Sequence, residues 1–194
     1  TITGSDDEVY DPARTRLQQQ GLLPAEMGWF PDRVYAGLTA VILGVHARAD
    51  NPELERARAL GLTVLSYPEF IFEQSRQKQR VVIAGSHGKT TITSMILHVM
   101  KYHHRKFDYL VGAHLDGFET MVSLTDDTSA GAAPVIIIEG DEYASSPIDR
   151  RPKFLHYKPH IALISGLAWN HVTLYPTYEQ YVHQFELLAD QMPK

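Results

Sequence analysis

Residues 81–91 constrain the fold more than any other part of the chain. The apolar run Val81–Ala84 predicts a strand, the glycines of Gly85–Lys89 predict a tight turn, and the residues that follow predict an amphipathic helix. In such a turn, backbone N–H groups and the helix N-terminus together favour bound phosphate. The Lys89 side chain would reach the terminal phosphates, and the Thr90 hydroxyl would bind Mg²⁺. The segment therefore predicts a strand–turn–helix unit with a nucleotide phosphate site, in the shortened form Gly-x-x-Gly-Lys-Thr.

Every residue of this turn and of the first helical positions is a candidate contact to phosphate. These residues are Gly85, Ser86, His87, Gly88, Lys89, Thr90 and Thr91. His87 has two interpretations, contact with phosphate or simple packing, and the sequence leaves both open.

The rest of the chain alternates strand-like and helix-like segments with short connections, a pattern typical of an α/β fold with a parallel, helix-covered sheet. Asn51 before Pro52 predicts a helix start, and Gly61 is placed to end the same helix. We expect strands at 1–3, 40–44, 62–66, 80–84, 109–112, 135–139 and 161–165. We expect helices at 12–20, 52–60, 68–77, from 89 onward and at 177–191.

Three local expectations accompany this assignment. The charge-rich segment Gln74–Arg80 predicts a boundary between two domains, residues 1–78 and 79–194. Small and polar residues predict an exposed loop at Thr125–Ala133. The apolar face of the helix after the turn is expected to consist of Ile92, Met95, Ile96 and Val99.

A run of acidic residues ends the apolar segment Val135–Ile138. Glu139, Asp141 and Glu142 follow it directly, and open α/β sheets bind ligands outside the carboxyl ends of their strands. Carboxylates beside a triphosphate repel it unless a divalent ion lies between them, which favours a Mg²⁺ site with Glu139 as ligand. The alternative is a solvated acidic turn.

His171 follows the next expected strand, so it would lie at the same edge of the sheet. An imidazole there could complete a metal site rich in oxygen ligands. The chain has ten histidines, however, and a single histidine is more often a surface or packing residue. The pattern alone leaves both roles open.

The composition excludes several classes of protein. With 23 acidic and 18 basic residues, the net charge of −5 argues against a general nucleic-acid binder. The absence of cysteine excludes disulfides, thiolate metal sites and a cysteine nucleophile. No uninterrupted apolar run of roughly 18 residues indicates a membrane span, so we expect a soluble, cytoplasmic protein without a membrane partner.

Because the first residue is Thr1 rather than Met, we expect a fragment or a chain whose natural start is missing.

Three segments together, Gly85–Thr91, Glu139–Tyr143 and Ser165–His171, resemble the Mur ligase superfamily of ATP-dependent, amide-forming enzymes of the bacterial cell wall. The resemblance extends to Gly4–Asp6 and Asn51–Glu53. It implies a Rossmann-like, UDP-sugar-binding domain at 1–78 that lacks its first strand. It also implies an incomplete P-loop ATP-binding domain at 79–194, with a third domain absent, so that the chain alone would not complete the reaction.

The resemblance also implies roles for particular residues. Lys89 would bind the β and γ phosphates of ATP, Thr90 and Glu139 would hold one Mg²⁺, and His171 would hold a second. The family commonly has aspartate before this histidine, whereas this chain has Asn170, which affects the expected number of metal ions. In the first domain, Asp6, His46 and Asn51 are the expected contacts to the uridine diphosphate.

Within the superfamily, Asp141–Tyr143, Ile148–Arg151 and Lys153–Tyr157 look most like the members that recycle peptidoglycan. These join UDP-N-acetylmuramate to the tripeptide L-alanyl-γ-D-glutamyl-meso-diaminopimelate through an acyl phosphate. Members that add L-alanine usually have a shorter segment without this basic and aromatic run.

Three alternatives stay open. The first is L-alanine addition by the same chemistry. The second is a module that binds a UDP-sugar or another nucleotide without catalysis, which Asn170 would favour. The third is folylpolyglutamate synthesis, which shares the phosphate-loop logic but leaves Gly4–Asp6 and Asn51–Glu53 unexplained. The oligomeric state is not predicted.

Overall fold

Two units make up the chain, Thr1–Leu65 and Ser66–Lys194. The computed structural model describes residues 2–126 and 131–193. The helices and strands of the first unit are short. It consists of helix α1 (Ala13–Gln19), a 3-10 turn (Pro31–Arg33), strand β1 (Val41–Leu43), helix α2 (Pro52–Ala59) and strand β2 (Val64–Ser66), which pairs with β1.

Helix α2 confirms the predicted capping. The Asn51 side chain accepts hydrogen bonds from the backbone N–H groups of Glu53 (2.9 Å) and Leu54 (3.3 Å), and Pro52 is the first helical residue. Gly61 follows the helix with φ +65°, a left-handed conformation that glycine adopts without steric cost. The local sequence therefore fixes both ends of this helix.

The strand expected at 1–3 is wrong for the two residues that are described, since Ile2 and Thr3 form no strand. Thr1 lies outside the described residues. Ile2 is 77% exposed, and the pairing nearest to it is one isolated bridge between Asp6 and Gly28. An apolar residue with nothing to pack against gains too little to order a strand.

The second unit contains the remaining helices and strands. In chain order they are α3 (Tyr67–Glu73), β3 (Gln79–Ala84), α4 (Lys89–Tyr102), β4 (Asp108–Leu110), β5 (Val122–Ser123), β6 (Val135–Glu139), β7 (Ala144–Ser146), β8 (Asp149–Pro152), α5 (Lys153–His156), β9 (Ile161–Ile164) and α6 (Tyr178–Asp190).

A five-stranded sheet organises this unit, in the order β5-β4-β6-β3-β9. Strands β4, β6, β3 and β9 are parallel, and only β5 runs antiparallel to its neighbour. The predicted α/β class with a parallel sheet is confirmed. Strand β3, which leads into the phosphate loop, therefore lies between β6 and β9.

Helices cover both faces of the sheet, as the alternation of buried residues along β3 shows. Val82 and Ala84 belong to one core, together with residues of α3, α5 and α6. Ile83 belongs to the other core, together with Leu97 of α4. Because successive side chains of a strand point to opposite faces, β3 contributes to both cores.

Helix α4 buries a different stripe from the one expected. Ile92 and Ile96 pack against the core, but Met95 and Val99 are 63% and 58% exposed. The buried residues are Thr93 and Leu97. The buried face of α4 is therefore centred on Thr93 and Leu97, one residue later in the sequence than the expected apolar positions Ile92 and Ile96.

The two compact units divide between Leu65 and Ser66, so helix α3 packs with the second unit, and the domain boundary expected at 78/79 stays a prediction. Ile71 of α3 belongs to the same core as Val82 and Phe154. Two of the three charged residues in Gln74–Arg80 are buried: Lys78 pairs with Asp108 at 2.8 Å, and Arg80 donates to the carbonyl oxygen of Tyr157 at 2.8 Å. These two side chains tie the segment to the second unit.

The segment expected to be an exposed loop, 125–133, is described only at its ends, since 127–130 lie outside the described residues. Ala133 is buried, and the Thr125 hydroxyl contacts Asp108 at 3.1 Å. These ends are therefore held against the sheet. Among the described residues, no helix has the length and apolar character needed to cross a membrane.

Candidate functional site

The three segments singled out by the sequence meet at one edge of the sheet. Strand β3 ends at the phosphate loop, β6 ends at Glu139, and β9 precedes the segment 165–171. These strands are parallel neighbours, with Ile83 opposite Glu139 and Ala84 opposite Ile164. Their carboxyl ends therefore meet where a doubly covered parallel sheet binds its ligands.

The phosphate loop packs directly on the segment after β9. Gly85 has φ +115°, and a Cβ atom there would lie 2.6 Å from the Oγ and 2.7 Å from the backbone nitrogen of Ser165. The Ser86 N–H donates to Gly166 O at 2.9 Å, and the Ala168 N–H donates to Ser86 Oγ at 2.9 Å. Only glycine at position 85 permits this close approach.

Helix α4 begins at Lys89 and presents its N-terminus to the loop. The residue before it, Gly88, has φ +77° and provides no side-chain cap. Lys89 donates to Gly85 O at 2.7 Å, so the lysine curls over the loop. The arrangement combines unpaired helical N–H groups with a cation, which is the chemistry that binds phosphate. His87 and Thr91 are exposed.

Thr90 and Glu139 form an oxygen-rich pair beside the loop. The Thr90 hydroxyl donates to Glu139 Oε1 at 2.7 Å, and the Gly112 N–H donates to Glu139 Oε2 at 2.9 Å. A Cβ at position 112 would lie 3.0 Å from Oε1, so glycine there lets the carboxylate approach the end of β4. A hydroxyl and a carboxylate are hard oxygen ligands, and this pair fits Mg²⁺.

Glu142 lies between His171 and Lys89, the lysine expected to bind phosphate, and contacts both. Its Oε2 lies 2.7 Å from Lys89 Nζ, at ion-pair distance but without hydrogen-bond alignment, and its Oε1 lies 3.0 Å from His171 Nε2. The residue is only 1% exposed. The Tyr175 hydroxyl donates to its backbone oxygen at 2.6 Å, and burial, with Glu142 nearby, raises the pKa of that hydroxyl. Tyr175 is thus a neutral donor that fixes the backbone of Glu142.

His171 has a constrained backbone and a partner on each side. Its φ is +56°, an uncommon value for a residue other than glycine. The Tyr143 ring contacts its imidazole edge-on at 4.5 Å between centroids. Because Nε2 faces Glu142, Nδ1 is the atom that would have to bind a metal. A second metal therefore has less support from geometry than the one at Thr90 and Glu139.

Asn170, which stands where the family commonly has aspartate, faces the phosphate loop. Its Nδ2 donates to Ser86 O at 3.4 Å, and its Oδ1 is buried without a hydrogen-bond partner among the described residues. A buried amide oxygen without a partner costs free energy unless a ligand or water supplies a donor.

These residues surround a cleft of about 670 Å³, which is large enough for a nucleotide's phosphates and part of a second substrate. Ser86, Lys89, Glu139 and His171 line it. The other lining residues are Tyr67, Leu110, Val111, Gly112, Met121, Val122, Asp141, Glu142, Tyr143, Lys153, Tyr157 and Asn170.

Sequence reasoning did not select Glu142, Ser165 or Lys153 as site residues. Glu142 belongs to the acidic run, but only the fold shows which of the three carboxylates meets Lys89. Ser165 donates to the carbonyl oxygens of Ala84 (3.1 Å) and His87. A small polar residue directly after a strand was the available signal for it.

The candidates for the uridine diphosphate lie in the first unit. Asp6 is exposed, and its backbone oxygen accepts from the Gly28 N–H at 2.7 Å. His46 is exposed, and the Asn51 side chain caps α2. The roles of Asp6, His46 and Asn51 in binding stay predictions.

Comparison with known proteins agrees with this geometry. Residues 83–194 match the family model of the Mur ligase middle domain. A UDP-N-acetylmuramate:L-alanyl-γ-D-glutamyl-meso-2,6-diaminoheptandioate ligase of Haemophilus influenzae is 29% identical over 99% of this chain and 41% of its own length. A UDP-N-acetylmuramate:L-alanine ligase of Roseiflexus is 34% identical over 97% of this chain and 37% of its own.

A solved structure shows the same fold. The UDP-N-acetylmuramate:L-alanyl-γ-D-glutamyl-meso-diaminopimelate ligase from Neisseria meningitides superposes with a TM-score of 0.86 at 27% identity, over 99% of this chain and 60% of that one. The chain spans about two fifths of the length of the two curated relatives.

Proposed function

The chain belongs to the Mur ligase family, and from this premise we propose that the full-length protein is an ATP-dependent ligase of peptidoglycan metabolism. The observation that carries the proposal is the meeting of Lys89, Thr90 and Glu139 at the ends of adjacent parallel strands, with the Thr90 hydroxyl 2.7 Å from Glu139. This is the set of groups that a phosphoryl transfer requires, since such a reaction depends on positioning and charge neutralisation.

The proposed substrates are ATP, UDP-N-acetylmuramate and the tripeptide L-alanyl-γ-D-glutamyl-meso-diaminopimelate. Support comes from the Haemophilus relative and the Neisseria structure, whose names specify these two acid and amine substrates. The basic and aromatic segment Lys153–Tyr157, whose end residues Lys153 and Tyr157 line the cleft, also favours the tripeptide. The first unit is the proposed site of the UDP group, and the cytoplasm is the proposed location.

The chemistry proceeds in two steps. A carboxylate oxygen of the muramate attacks the γ-phosphorus of ATP, the bond to the bridging oxygen breaks, and ADP leaves with the bonding electrons. The amine nitrogen of the peptide then attacks the acyl carbon, inorganic phosphate leaves, and the amine loses a proton. No side-chain nucleophile is needed, and the residues of the cleft bind and orient the reactants.

Several residues of the loop and the cleft have a defined part in this scheme. Lys89 and the N-terminus of α4 neutralise the β and γ phosphates, and Glu142 and Gly85 O hold the lysine in place. Thr90 and Glu139 would hold Mg²⁺, which would supply further positive charge at the phosphates. The buried Oδ1 of Asn170 would accept a hydrogen bond from a bound group.

The test is phosphate release by the full-length protein with ATP, Mg²⁺, UDP-N-acetylmuramate and the tripeptide. Lys89→Ala is expected to lower kcat/KM by about a hundredfold or more, because an electrostatic contact to the transferred phosphoryl group is lost. Lys106→Ala is the matched control, since Lys106 is exposed and outside the cleft. Unchanged turnover in the Lys89 variant would refute the proposal.

A second candidate, L-alanine addition, is favoured by the higher identity of the Roseiflexus relative, 34% against 29%. The same assay with L-alanine in place of the tripeptide separates the two. Turnover that depends on L-alanine would select this candidate, and binding of nucleotide without turnover would select a non-catalytic module.

A further inference from the structure

Lys153 is a second lysine in the wall of the cleft that the phosphate chemistry does not use. Among the described lining residues the lysines are Lys89 and Lys153, and only Lys89 contacts the phosphate loop. Lys153 Nζ instead lies 2.6 Å from Asp141 Oδ2, with side-chain exposures of 21% and 32%. Solvent therefore reaches this pair, and a partly exposed ion pair is weak enough to exchange partners.

The backbone of Lys153 is firmly held, so the ammonium group is presented from a fixed point. Its N–H donates to Tyr143 O at 3.0 Å, and the next residue, Phe154, is fully buried in the core. His156 completes the support, with its imidazole 3.3 Å from Asp149 and 3.8 Å from Glu69 of α3. A cation on such a support loses little freedom when it binds a ligand.

The substrates explain why a second cation would be useful. This inference rests on the proposed function, in which the acid substrate and the amine substrate both carry carboxylates. The triphosphate already has Lys89, the N-terminus of α4 and the Thr90–Glu139 pair as its binding groups. We propose that Lys153 binds a substrate carboxylate, which replaces Asp141 as its partner. Asp141 holds the ammonium group in position until the substrate arrives.

This proposal predicts opposite effects for the two members of the pair. Lys153→Met keeps the unbranched stem of the side chain but removes the ammonium group, and it should raise the KM for one carboxylate substrate about tenfold or more. Asp141→Asn removes the competing partner but keeps an oxygen for its hydrogen bond from the Tyr143 N–H, and it should lower the same KM. A merely structural defect would shift both variants in one direction.

The experiment measures three KM values in the full-length protein, for ATP, UDP-N-acetylmuramate and the tripeptide. The KM values for UDP-N-acetylmuramate and for the tripeptide, the two substrates that carry carboxylates, identify which of them Lys153 binds. The KM for ATP should stay within about twofold of the wild-type value in both variants. Arg150→Met is the matched control, because Arg150 is an exposed basic residue in strand β8, three positions before Lys153, but outside the cleft. Lys153→Arg should restore much of the affinity.

The outcomes separate this inference from the proposed function. Equal KM values in wild type and Lys153→Met, a rise confined to ATP, or shifts of the same sign in Lys153→Met and Asp141→Asn would each overturn the role of Lys153. If the wild type shows no turnover, the proposed function fails. Calorimetric binding of UDP-N-acetylmuramate and of the tripeptide to wild type and Lys153→Met then decides the role of Lys153 by itself.

Discussion

At the scale of single residues, Glu142 shows how one buried carboxylate serves two functional groups. It is almost fully buried, and its two oxygens lie 2.7 Å from Lys89 and 3.0 Å from His171. Burying a carboxylate costs free energy unless it is paired, so the burial of Glu142 depends on its contacts with Lys89 and His171.

Glu142→Ala should therefore lower the free energy of unfolding by about 2–4 kcal/mol, because it leaves the ammonium group of Lys89 without its anionic partner and only with its hydrogen bond to Gly85 O. Lys89 is 14% exposed, which places the expected value below the full cost of a deeply buried pair. Urea denaturation measures the change. Glu186→Ala is the control, since Glu186 pairs with His183 on the surface, and a similar loss in both variants would contradict the argument.

At the scale of secondary-structure elements, the phosphate loop depends on the segment after β9 for its shape. Gly85→Ala should destabilise the protein by about 2–4 kcal/mol, because the new Cβ would clash with the Ser165 backbone and the φ of +115° is strained for alanine. Binding of a non-hydrolysable ATP analogue, measured by calorimetry, should weaken as well. Gly131→Ala, where no atom of the described residues lies within 4 Å of the new Cβ, should change neither quantity.

His156 acts at the same scale, since it contacts Glu69 of α3 and Asp149 of β8 from its place in α5. Burial lowers the pKa of His156 from 6.5, and Arg151 adds to the shift. A histidine whose pKa is lower in the folded state stabilises the protein fully above its unfolded pKa. This contribution is lost as the pH falls below about 6.5.

The difference in unfolding free energy between wild type and His156→Asn should therefore shrink from pH 7.5 to pH 5.5. Denaturation across this range measures it. The exposed residue His103 provides the control, because His103→Asn should leave the pH dependence of the wild type unchanged. A constant difference for His156→Asn would show that its charge state does not matter.

At the scale of the whole molecule, the sequence predicted the features that local chemistry determines. The periodicity of apolar runs identified the parallel sheet, and the motif at 85–91 identified the loop at the end of β3. The hairpin β7–β8 was missed because its second strand, Asp149–Pro152, contains no β-branched or aromatic residue, the types that favour strands. Arginine and proline are tolerated there because the strand forms only a two-stranded sheet.

Side-chain partnerships between distant segments were beyond sequence reasoning for a different reason. The pairs Lys89–Glu142 and Lys78–Asp108 depend on which strands are neighbours, and no pattern within either segment carries that information. The same holds for Arg80, whose guanidinium donates to the carbonyl oxygen of Tyr157, 77 positions away. The contacts expected for Asp6, His46 and Asn51 stay predictions.

The contacts between the phosphate loop and the segment after β9 also affect the order in which the protein folds during its synthesis. Ser86 and its partner Ala168 are 82 positions apart, and β3 pairs with β6 and β9, which are both synthesised much later. Contacts of such long sequence separation form slowly, because the intervening chain must first be ordered. A nascent chain that has emerged only as far as α4 contains the whole motif but not the strand that shapes it. The phosphate loop therefore reaches its final shape only after β9 and Ala168 have been synthesised, so a ribosome-bound intermediate that ends at α4 would hold nucleotide poorly.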